Sequence, residues 1–327
     1  MGLFTKKDRS TKQTDAEAAA KKQSSDSAMW LSNAAAFMQR NNYQRALQCL
    51  DEALKADPEN PAAWHEKGRM LALLKREKES MDAYDRAIAL RPNTAVYYHN
   101  KGDALASFGR YREADEYFIK ALSMSPDDVV YLTSHARILA QYKQYKDADD
   151  IMAKICKREP RAPEHWFNRA EFLYAAGKYR DAVNCYHASI EIAPGNAVGH
   201  FNCGNALAKL GNHEEAVKCF EKAIKFERAM TGAMNNKGLS LSILGDHQKA
   251  YDCFRRVLIA RPNDADALFN KGYELMMLER YNEAVETFDQ CLSCAGEERR
   301  DLIERARENK EKAKKAMGKI GERWNEK

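Results

Sequence analysis

Proline recurs along this 327-residue chain at a spacing of 34 residues or its multiples. Six of the eight prolines share this spacing, namely Pro58, Pro92, Pro126, Pro160, Pro194 and Pro262. A fixed period of this length indicates tandem structural repeats, each too small to bury an apolar face alone. Counted from Ser27, the period divides the chain without insertion or deletion into eight repeats: 27–60, 61–94, 95–128, 129–162, 163–196, 197–230, 231–264 and 265–298.

Small residues hold two fixed positions in every repeat. The eighth residue is Ala34, Gly68, Gly102, Ala136, Ala170, Gly204, Gly238 or Gly272, and the twentieth is Ala or Ser throughout. Apolar residues around them recur at intervals of three and four, the helical period. Turn sequences such as FGRY and AGKY contain a Gly that can adopt the positive φ that ends a helix. Each repeat is therefore predicted to be a helical hairpin whose two helices approach closely and whose terminal proline stops the second helix.

These columns resemble the tetratricopeptide repeat family, whose pattern is W-x2-L-G-x2-Y, then A-x3-F, then A, then P. The second repeat matches with Trp64, Gly68, Leu71, Ser80, Tyr84, Ala87 and Pro92, and the eighth with Leu268, Gly272, Leu275, Ala284, Phe288 and Cys291. The resemblance covers residues 27–298 and implies an all-α fold, a right-handed α-solenoid (superhelix) of tandem hairpins. Arg228 and Gly296 replace the terminal proline, so the second helix of the sixth repeat is expected to run on toward Met230.

The two ends of the chain differ in composition from the repeats. Residues 299–327 carry apolar side chains at helical spacing between charged ones, and a capping helix over 298–320 with a charged tail is expected to cover the last repeat. Residues 1–26 are polar and poor in large apolar groups, so a disordered segment is expected there.

Composition limits the classes of protein that the chain can belong to. Hydrophobic residues make up 44% of it and charged residues 31%, with a net charge of +5. No apolar run reaches the ~18–20 residues that span a bilayer, and the first residues show neither a signal-peptide pattern nor a myristoylation motif. We therefore expect a cytoplasmic protein without membrane insertion.

The eight cysteines are expected to be free thiols. Cys185, Cys219 and Cys253 stand 34 residues apart, with Cys49 in the same phase, and copies of one position in neighbouring repeats are too far apart for a disulfide. Cys291 and Cys294 form a single CLSC without a second pair of ligands at zinc spacing. His65 and His99 stand one repeat apart without an obvious third ligand. No metal or other cofactor is predicted.

The family resemblance implies that the second, fifth, sixth, ninth and twelfth residues of each repeat line a concave groove that binds extended peptides. The sixth position carries Asn100, Asn168, Asn202, Asn236 and Asn270. An amide offers both an acceptor and donors, as a peptide backbone requires, so a row of them could hold a peptide. The alternative is that Asn is simply the family's usual residue there.

Aromatic residues accompany this row in the second half of the chain, at Phe167, Phe201, Phe269, Tyr174 and Tyr273. They either contact a partner or pack between neighbouring helices. Equivalent positions in the first half are polar and mixed in sign, with Arg69 and Arg137 among them. The pattern predicts an acidic or polar partner segment toward repeats two to four, and an apolar segment toward repeats five to eight.

The sequence favours a non-enzymatic scaffold or adaptor that binds a protein segment in extended or short helical form. No phosphate-binding loop, HExxH or nucleophile elbow is present, and no three successive repeats carry the residues of a chaperone-type carboxylate clamp. A structural self-assembly module, acting through repeat edges or the C-terminal helix, is one alternative. An RNA-binding solenoid is another, although acidic residues such as Glu66, Asp103 and Glu171 in the groove would repel phosphates. The oligomeric state is left open.

Overall fold

A computed structural model describes residues 25–325, with side chains to residue 318. The disordered segment that was expected at 1–26 falls almost wholly outside this range, and residues 25 and 26 are helical. The described chain is helical throughout, and its helices are α1 (25–39), α2 (Tyr43–Ala56), α3 (Pro61–Leu73), α4 (Glu77–Leu90), α5 (Ala95–Ser107), α6 (Tyr111–Met124), α7 (Val129–Gln141), α8 (Tyr145–Arg158), α9 (Pro163–Ala175), α10 (Tyr179–Ile192), α11 (Ala197–Lys209), α12 (His213–Phe226), α13 (Thr231–Ile243), α14 (His247–Ala260), α15 (Ala265–Met277), α16 (Tyr281–Cys294) and α17 (Arg300–Asn325).

The chain divides into two compact units, and the boundary along the sequence falls within α8, between Ile151 and Met152. Each unit is a stack of helical hairpins. In the N-terminal unit α3 packs on α4 and α5 on α6, and in the C-terminal unit α9 packs on α10, α11 on α12, α13 on α14 and α15 on α16. Second helices contact the first helix of the next hairpin, as α4 contacts α5 and α12 contacts α13. First helices of successive hairpins also touch, as α3 touches α5 in the N-terminal unit and α13 touches α15 in the C-terminal unit.

The small residues permit the close crossing of helices that the sequence predicts. A Cβ atom added to Gly204 would lie 2.6 Å from the ring of Phe220, and one added to Gly102 would lie 2.8 Å from the ring of Phe118. Phe118 and Phe220 are themselves buried. The eighth residue of a repeat is therefore small because an aromatic ring of the second helix occupies the space beside it.

The turn inside every hairpin uses a left-handed residue at the fifteenth position of the repeat. Gly109, Gly177, Gly211 and Gly245 have φ of 76–81°, and Asn41, Lys75, Lys143 and Glu279 have φ of 55–60°. After α11, Gly211 N–H donates to the Ala208 carbonyl at 3.0 Å and Asn212 N–H to the Leu207 carbonyl at 2.9 Å. This is the paired bonding that ends a helix at a left-handed residue. The predicted positive φ is confirmed at the glycines, and four larger residues adopt it too.

The expected extension of the sixth repeat's second helix toward Met230 is wrong. Helix α12 ends at Phe226, with the Glu227 N–H bonded to the Ala223 carbonyl at 2.8 Å, and Met230 N–H then donates to the Glu227 carbonyl at 3.1 Å. The turn before α13 therefore keeps the length found at the proline-containing junctions. Helix α12 also packs on α13, and the sixth repeat keeps the same helix end without a proline at position 228.

Helix α17 covers the open side of the last hairpin. Leu302, Ala306 and Ala313 are buried in one apolar cluster with Leu268 and Phe288 of the eighth repeat. Polar contacts fix the same helix, because Arg299 at its start makes two hydrogen bonds to the Asp266 carboxylate, at 2.6 and 2.8 Å. A C-terminal capping helix is thus present, although it runs five residues beyond the expected end at 320.

Candidate functional site

Four exposed apolar residues lie on two neighbouring first helices of the C-terminal unit. Leu239 and Ile243 of α13 are 39% and 66% exposed, and Tyr273 and Met277 of α15 are 39% and 47% exposed. Within each pair the residues are four apart, which places them on one helix face. The two pairs occupy the same ninth and thirteenth positions of adjoining repeats, on helices in contact. We call these four residues the α13–α15 apolar surface.

The asparagine row connects one repeat to the next by hydrogen bonds. Asn202 Nδ2 donates to Glu171 Oε1 at 2.8 Å, and Asn236 Nδ2 donates to Asn205 Oδ1 at 2.8 Å. In both cases the sixth residue of one repeat bonds to the ninth residue of the repeat before it. The same register appears in the N-terminal unit, where Ser134 Oγ donates to an Asp103 oxygen at 3.4 Å. Part of the hydrogen-bonding capacity of the row is therefore used inside the protein.

Asn270 is different because the corresponding ninth residue is Leu239, which has no polar group to offer. Within the described part of the chain the Asn270 side chain makes no hydrogen bond, and it is half-buried. An amide with free donors and a free acceptor thus lies beside the α13–α15 apolar surface. Of the predicted row, Asn270 is the side chain whose surroundings best fit contact with a peptide backbone.

The predicted aromatic residues divide between packing and exposure. The rings of Phe167 and Phe201 are partly buried and lie 5.9 Å from Tyr186 and 6.1 Å from Phe220, the aromatic residues of their own second helices. Phe269 is only 5% exposed, and the Arg305 guanidinium of α17 lies 4.5 Å from its ring centroid. Of the two roles considered for these aromatic residues, contact with a partner or packing between helices, Phe269 has the packing role.

A depression of about 350 Å³ opens between α9, α11 and α13. It is lined by Asn236, Leu239 and Ile243 of α13, by Asn205 of α11 and by Tyr174 of α9. The Tyr174 ring is half-buried and meets the Tyr179 ring edge-on at 5.3 Å. The structure therefore places Tyr174, Asn236 and two residues of the apolar surface around a single depression, which can take an apolar side chain next to a hydrogen-bonding group.

The predicted polar residues of the N-terminal unit are paired internally. Arg69 lies 3.0 Å from Glu66, and Arg137 lies 3.3 Å from Asp103. Asn100 Nδ2 lies 2.7 Å from His65 Nε2. Burial acts to raise the pKa of Glu66, but a hydrogen bond with His65 and the charges of Arg69 and His65 together outweigh it, so the pKa is lowered. Both signs of charge remain on this face, as the sequence indicates, but each cation has an acidic neighbour.

Two histidines that were considered as metal ligands contribute to packing and hydrogen bonding. The His65 ring stacks on Tyr97 at 4.8 Å, and the His99 ring on Tyr131 at 4.6 Å. His99 Nε2 lies 3.0 Å from Ser134 Oγ. Across residues 25–318 the structure holds no group of three His, Cys, Asp or Glu side chains arranged for a metal ion.

Two sets of residues were missed by the sequence reasoning. Leu239, Ile243 and Met277 were not among the candidate site residues, although an apolar ninth residue among mostly polar ones could have indicated them. The second set is the lysines at the seventh position. Lys67 lies 2.7 Å from Asp51, and Lys237 lies 2.8 Å from Glu221. Each pair joins a first helix to the second helix of the preceding repeat, 16 residues earlier.

Known proteins define the class to which this architecture belongs. The tetratricopeptide repeat family matches residues 31–95. The C-terminal part of a TPR repeat-containing protein from Cytophaga hutchinsonii has a TM-score of 0.60 at 14% identity, covering 73% of this chain and 98% of that one. A tetratricopeptide repeat protein from Parabacteroides merdae has a TM-score of 0.57 at 14% identity, covering 77% and 99%. PilW, a type IV pilus biogenesis factor, has a TM-score of 0.56 at 22% identity, covering 61% and 92%. At these identities the likeness shows the fold alone: an all-α solenoid of tetratricopeptide repeats.

A second family match is more particular and covers more than half of the chain. Residues 108–287 match the N-terminal domain of the type VII (T7SS) ESX-1 secretion system protein EccA1. The chain is thus a tetratricopeptide repeat protein that belongs to the family of the EccA1 N-terminal domain. No curated protein matches it. Among the helices described, none has both the length and the apolar character needed to cross a bilayer. Repeat arrays of this type present extended surfaces for protein–protein interaction.

Proposed function

We propose that this protein is a non-enzymatic scaffold that binds a segment of a partner protein, extended or in a short helix, on the first-helix face of its C-terminal unit. The observation that carries the proposal is the α13–α15 apolar surface, which exposes four large apolar side chains on adjoining helices. Clustered apolar exposure of this kind marks interaction surfaces, whereas scattered apolar residues do not.

Two kinds of contact would hold the bound segment. Apolar side chains of the partner would bury Leu239, Ile243, Tyr273 and Met277, with a gain of roughly 25 cal/mol per Å² of apolar surface removed from water. The free Asn270 amide would pair with the backbone of the segment, as the sequence suggests for the asparagine row. Asn205 and Asn236, already bonded to each other, would offer their remaining groups in the depression beside Leu239.

The absence of disulfides among the eight cysteines is compatible with a reducing compartment for this activity, since disulfides are rare in cytosolic proteins. We propose a cytoplasmic location on this ground.

A matched pair of isoleucines in the seventh repeat tests the proposal. Ile243 on α13 is 66% exposed and Ile259 on the second helix α14 is 74% exposed. Peptides would be selected from a displayed random library on the full chain, and their affinities measured by fluorescence anisotropy. Ile243→Ser should weaken the selected peptides roughly tenfold, the loss expected for one buried aliphatic side chain. Ile259→Ser should leave affinity unchanged.

The control also identifies the face that binds. Equal loss from both variants would point to a general effect of destabilisation, and loss from Ile259→Ser alone would move the site to the second-helix face. Circular dichroism of both variants would show whether each retains its helix content. If Ile243→Ser binds as tightly as the unaltered chain, the α13–α15 apolar surface is not the site.

A further inference from the structure

Two cysteine side chains meet inside the sixth repeat. Cys203 of α11 is the seventh residue of that repeat and Cys219 of α12 is the twenty-third, and their Sγ atoms lie 3.9 Å apart. The twenty-third position also carries a thiol in three other repeats, at Cys49, Cys185 and Cys253, but the seventh position carries one only at Cys203. Opposed thiols within one hairpin therefore occur in a single repeat.

The two sulfur atoms are close enough for a disulfide to form after a small movement. A disulfide requires the Sγ atoms to approach to about 2.05 Å, from Cβ atoms about 3.8 Å apart. Helices α11 and α12 already cross closely, since Gly204, next to Cys203, leaves no room for a Cβ atom against Phe220. Closing the gap thus requires the sulfurs to move by about 2 Å in total, which rotation of the side chains and a small shift of the helices can supply.

The two thiols differ in exposure. Cys203 is completely buried, whereas Cys219 is half-buried and so accessible from solvent. A hydrogen bond with the Cys203 thiol stabilises the Cys219 thiolate and lowers the pKa of Cys219, with burial opposing this effect, and the Lys222 charge also lowers it while Glu215 raises it. The exposed member of the pair is therefore the better nucleophile.

We propose that Cys203 and Cys219 form an oxidisable dithiol site that a hydroperoxide converts to an intramolecular disulfide within the folded sixth repeat. The Cys219 thiolate attacks the terminal peroxide oxygen and the O–O bond breaks, which gives a sulfenic acid and releases hydroxide from hydrogen peroxide or alkoxide from an organic hydroperoxide. The Cys203 sulfur then attacks the sulfenic sulfur, the S–S bond forms as the S–O bond breaks, and the hydroxyl leaves with the Cys203 thiol proton as water. Both sulfurs are oxidised and the peroxide is reduced; a dithiol reductant reverses the change.

The experiment treats the full folded chain with hydrogen peroxide at neutral pH. Thiol titration after denaturation should show the loss of two of the eight thiols, with recovery on addition of dithiothreitol. Trypsin cleaves after Lys209 and Lys218, between the two cysteines, so mass spectrometry of the unreduced digest should show the Cys219 peptide linked to the peptide that contains Cys203. Fragmentation of the linked peptide would separate Cys203 from Cys185, which lies on the same tryptic peptide.

Variants distinguish this pair from the other thiols. Cys203→Ala should abolish the disulfide and leave Cys219 as a sulfenic acid that dimedone labels, while Cys219→Ala should abolish both products. Cys253→Ala is the matched control, since Cys253 holds the equivalent position of the next repeat and faces no thiol there; it should form the disulfide as the unaltered chain does.

Two results would overturn the proposal. One is a folded chain that keeps all its thiols while the same chain in urea forms disulfides. The other is a mixture of linkages that includes Cys291, Cys294 or a second molecule at comparable yield. Because Cys219→Ala alters a half-buried position, it keeps the test informative if Cys203→Ala fails to fold. None of these readouts depends on peptide binding, so the site stands or fails independently of the proposed function.

Discussion

Asn236 donates a hydrogen bond to Asn205 across the boundary between the sixth and seventh repeats, at 2.8 Å. The bond makes the asparagine row a structural element as well as a candidate binding element. Substituting one asparagine of the row can therefore change stability, peptide binding or both. The structure predicts which of these two properties each asparagine affects.

Asn236→Ala should lower the free energy of unfolding by about 1 kcal/mol, because a partly buried hydrogen bond is lost and Asn205 is left without its partner. Asn270→Ala should leave stability nearly unchanged, since Asn270 has no such bond in the described residues, and should weaken peptide binding. Urea unfolding and anisotropy titration of both variants provide the measurements. Equal destabilisation by the two substitutions would contradict this division.

Gly204→Ala should destabilise the sixth repeat. The added Cβ atom would lie 2.6 Å from the buried Phe220 ring, so the ring or the helix must shift, at a cost of about 1–3 kcal/mol. Chemical denaturation of the full chain measures the loss. Gly195→Ala is the control, because a Cβ atom there meets nothing within 4 Å. A Gly204→Ala variant as stable as the unaltered chain would show that the crossing of α11 and α12 is looser than the structure indicates.

Glu279→Gly should stabilise the eighth repeat. Glu279 is exposed and holds a φ of 59°, a left-handed conformation that costs a residue with a Cβ atom about 1–2 kcal/mol. Glycine also gains freedom in the unfolded chain, so the net gain should be about 0.5–1 kcal/mol. The reverse change, Gly245→Glu at the equivalent position with φ of 79°, should destabilise. Thermal unfolding curves that move in the same direction for both variants would refute the argument.

His200 should make stability depend on pH. Burial lowers the pKa of His200, and the Lys222 and His187 charges act in the same direction, against a hydrogen bond to the Pro194 carbonyl. Because the folded pKa lies below the unfolded value of about 6.5, the unfolded chain takes up the proton first, and stability should fall as pH drops below about 6.5. The contribution is fully present above that pH.

His200→Gln isolates this contribution. The His200 ring stacks on Phe226 at 5.6 Å and its Nε2 lies 3.0 Å from the Pro194 carbonyl. At about pH 8 the histidine is neutral in both states, so the variant reports only the change in these two contacts. Between about pH 8 and about pH 5, the free energy of unfolding should fall less in the variant than in the unaltered chain. If the free energy of unfolding changes equally with pH in the two proteins, His200 is not the source of the pH dependence.

Much of the fold could be predicted because the 34-residue period repeats the same local signals eight times. The hairpin boundaries, the small residues at the crossing and the positive φ of the turn glycines each depend on neighbours close in sequence. The end of α12 at Phe226 was not predictable from Arg228, because the helix ends at the same position of the repeat as in repeats that carry the proline. Left-handed Lys75 and Lys143 were missed for a related reason: the stack imposes a turn that their own preferences do not favour.

The candidate site was less predictable because exposure depends on contacts between repeats. Phe269 shares its column with Phe201, yet α17 covers only Phe269, and no pattern within the repeat reports that difference. Whether an amide is free depends on the ninth residue of the preceding repeat, as Leu239 shows for Asn270. The pairing of a sixth residue with the ninth residue of the preceding repeat can be recognised only when the register between hairpins is known.

In a stack of equivalent hairpins, each hairpin leaves an apolar side that the next hairpin would cover. On the eighth repeat, helix α17 covers this side instead. Leu302 and Ala306 fill the apolar side of the eighth repeat, and the Arg299 bond to Asp266 closes its edge. A second copy of the chain could add itself at this end only by displacing a helix of 26 residues. Helix α17 thus occupies the apolar surface of the eighth repeat on which a further hairpin would stack.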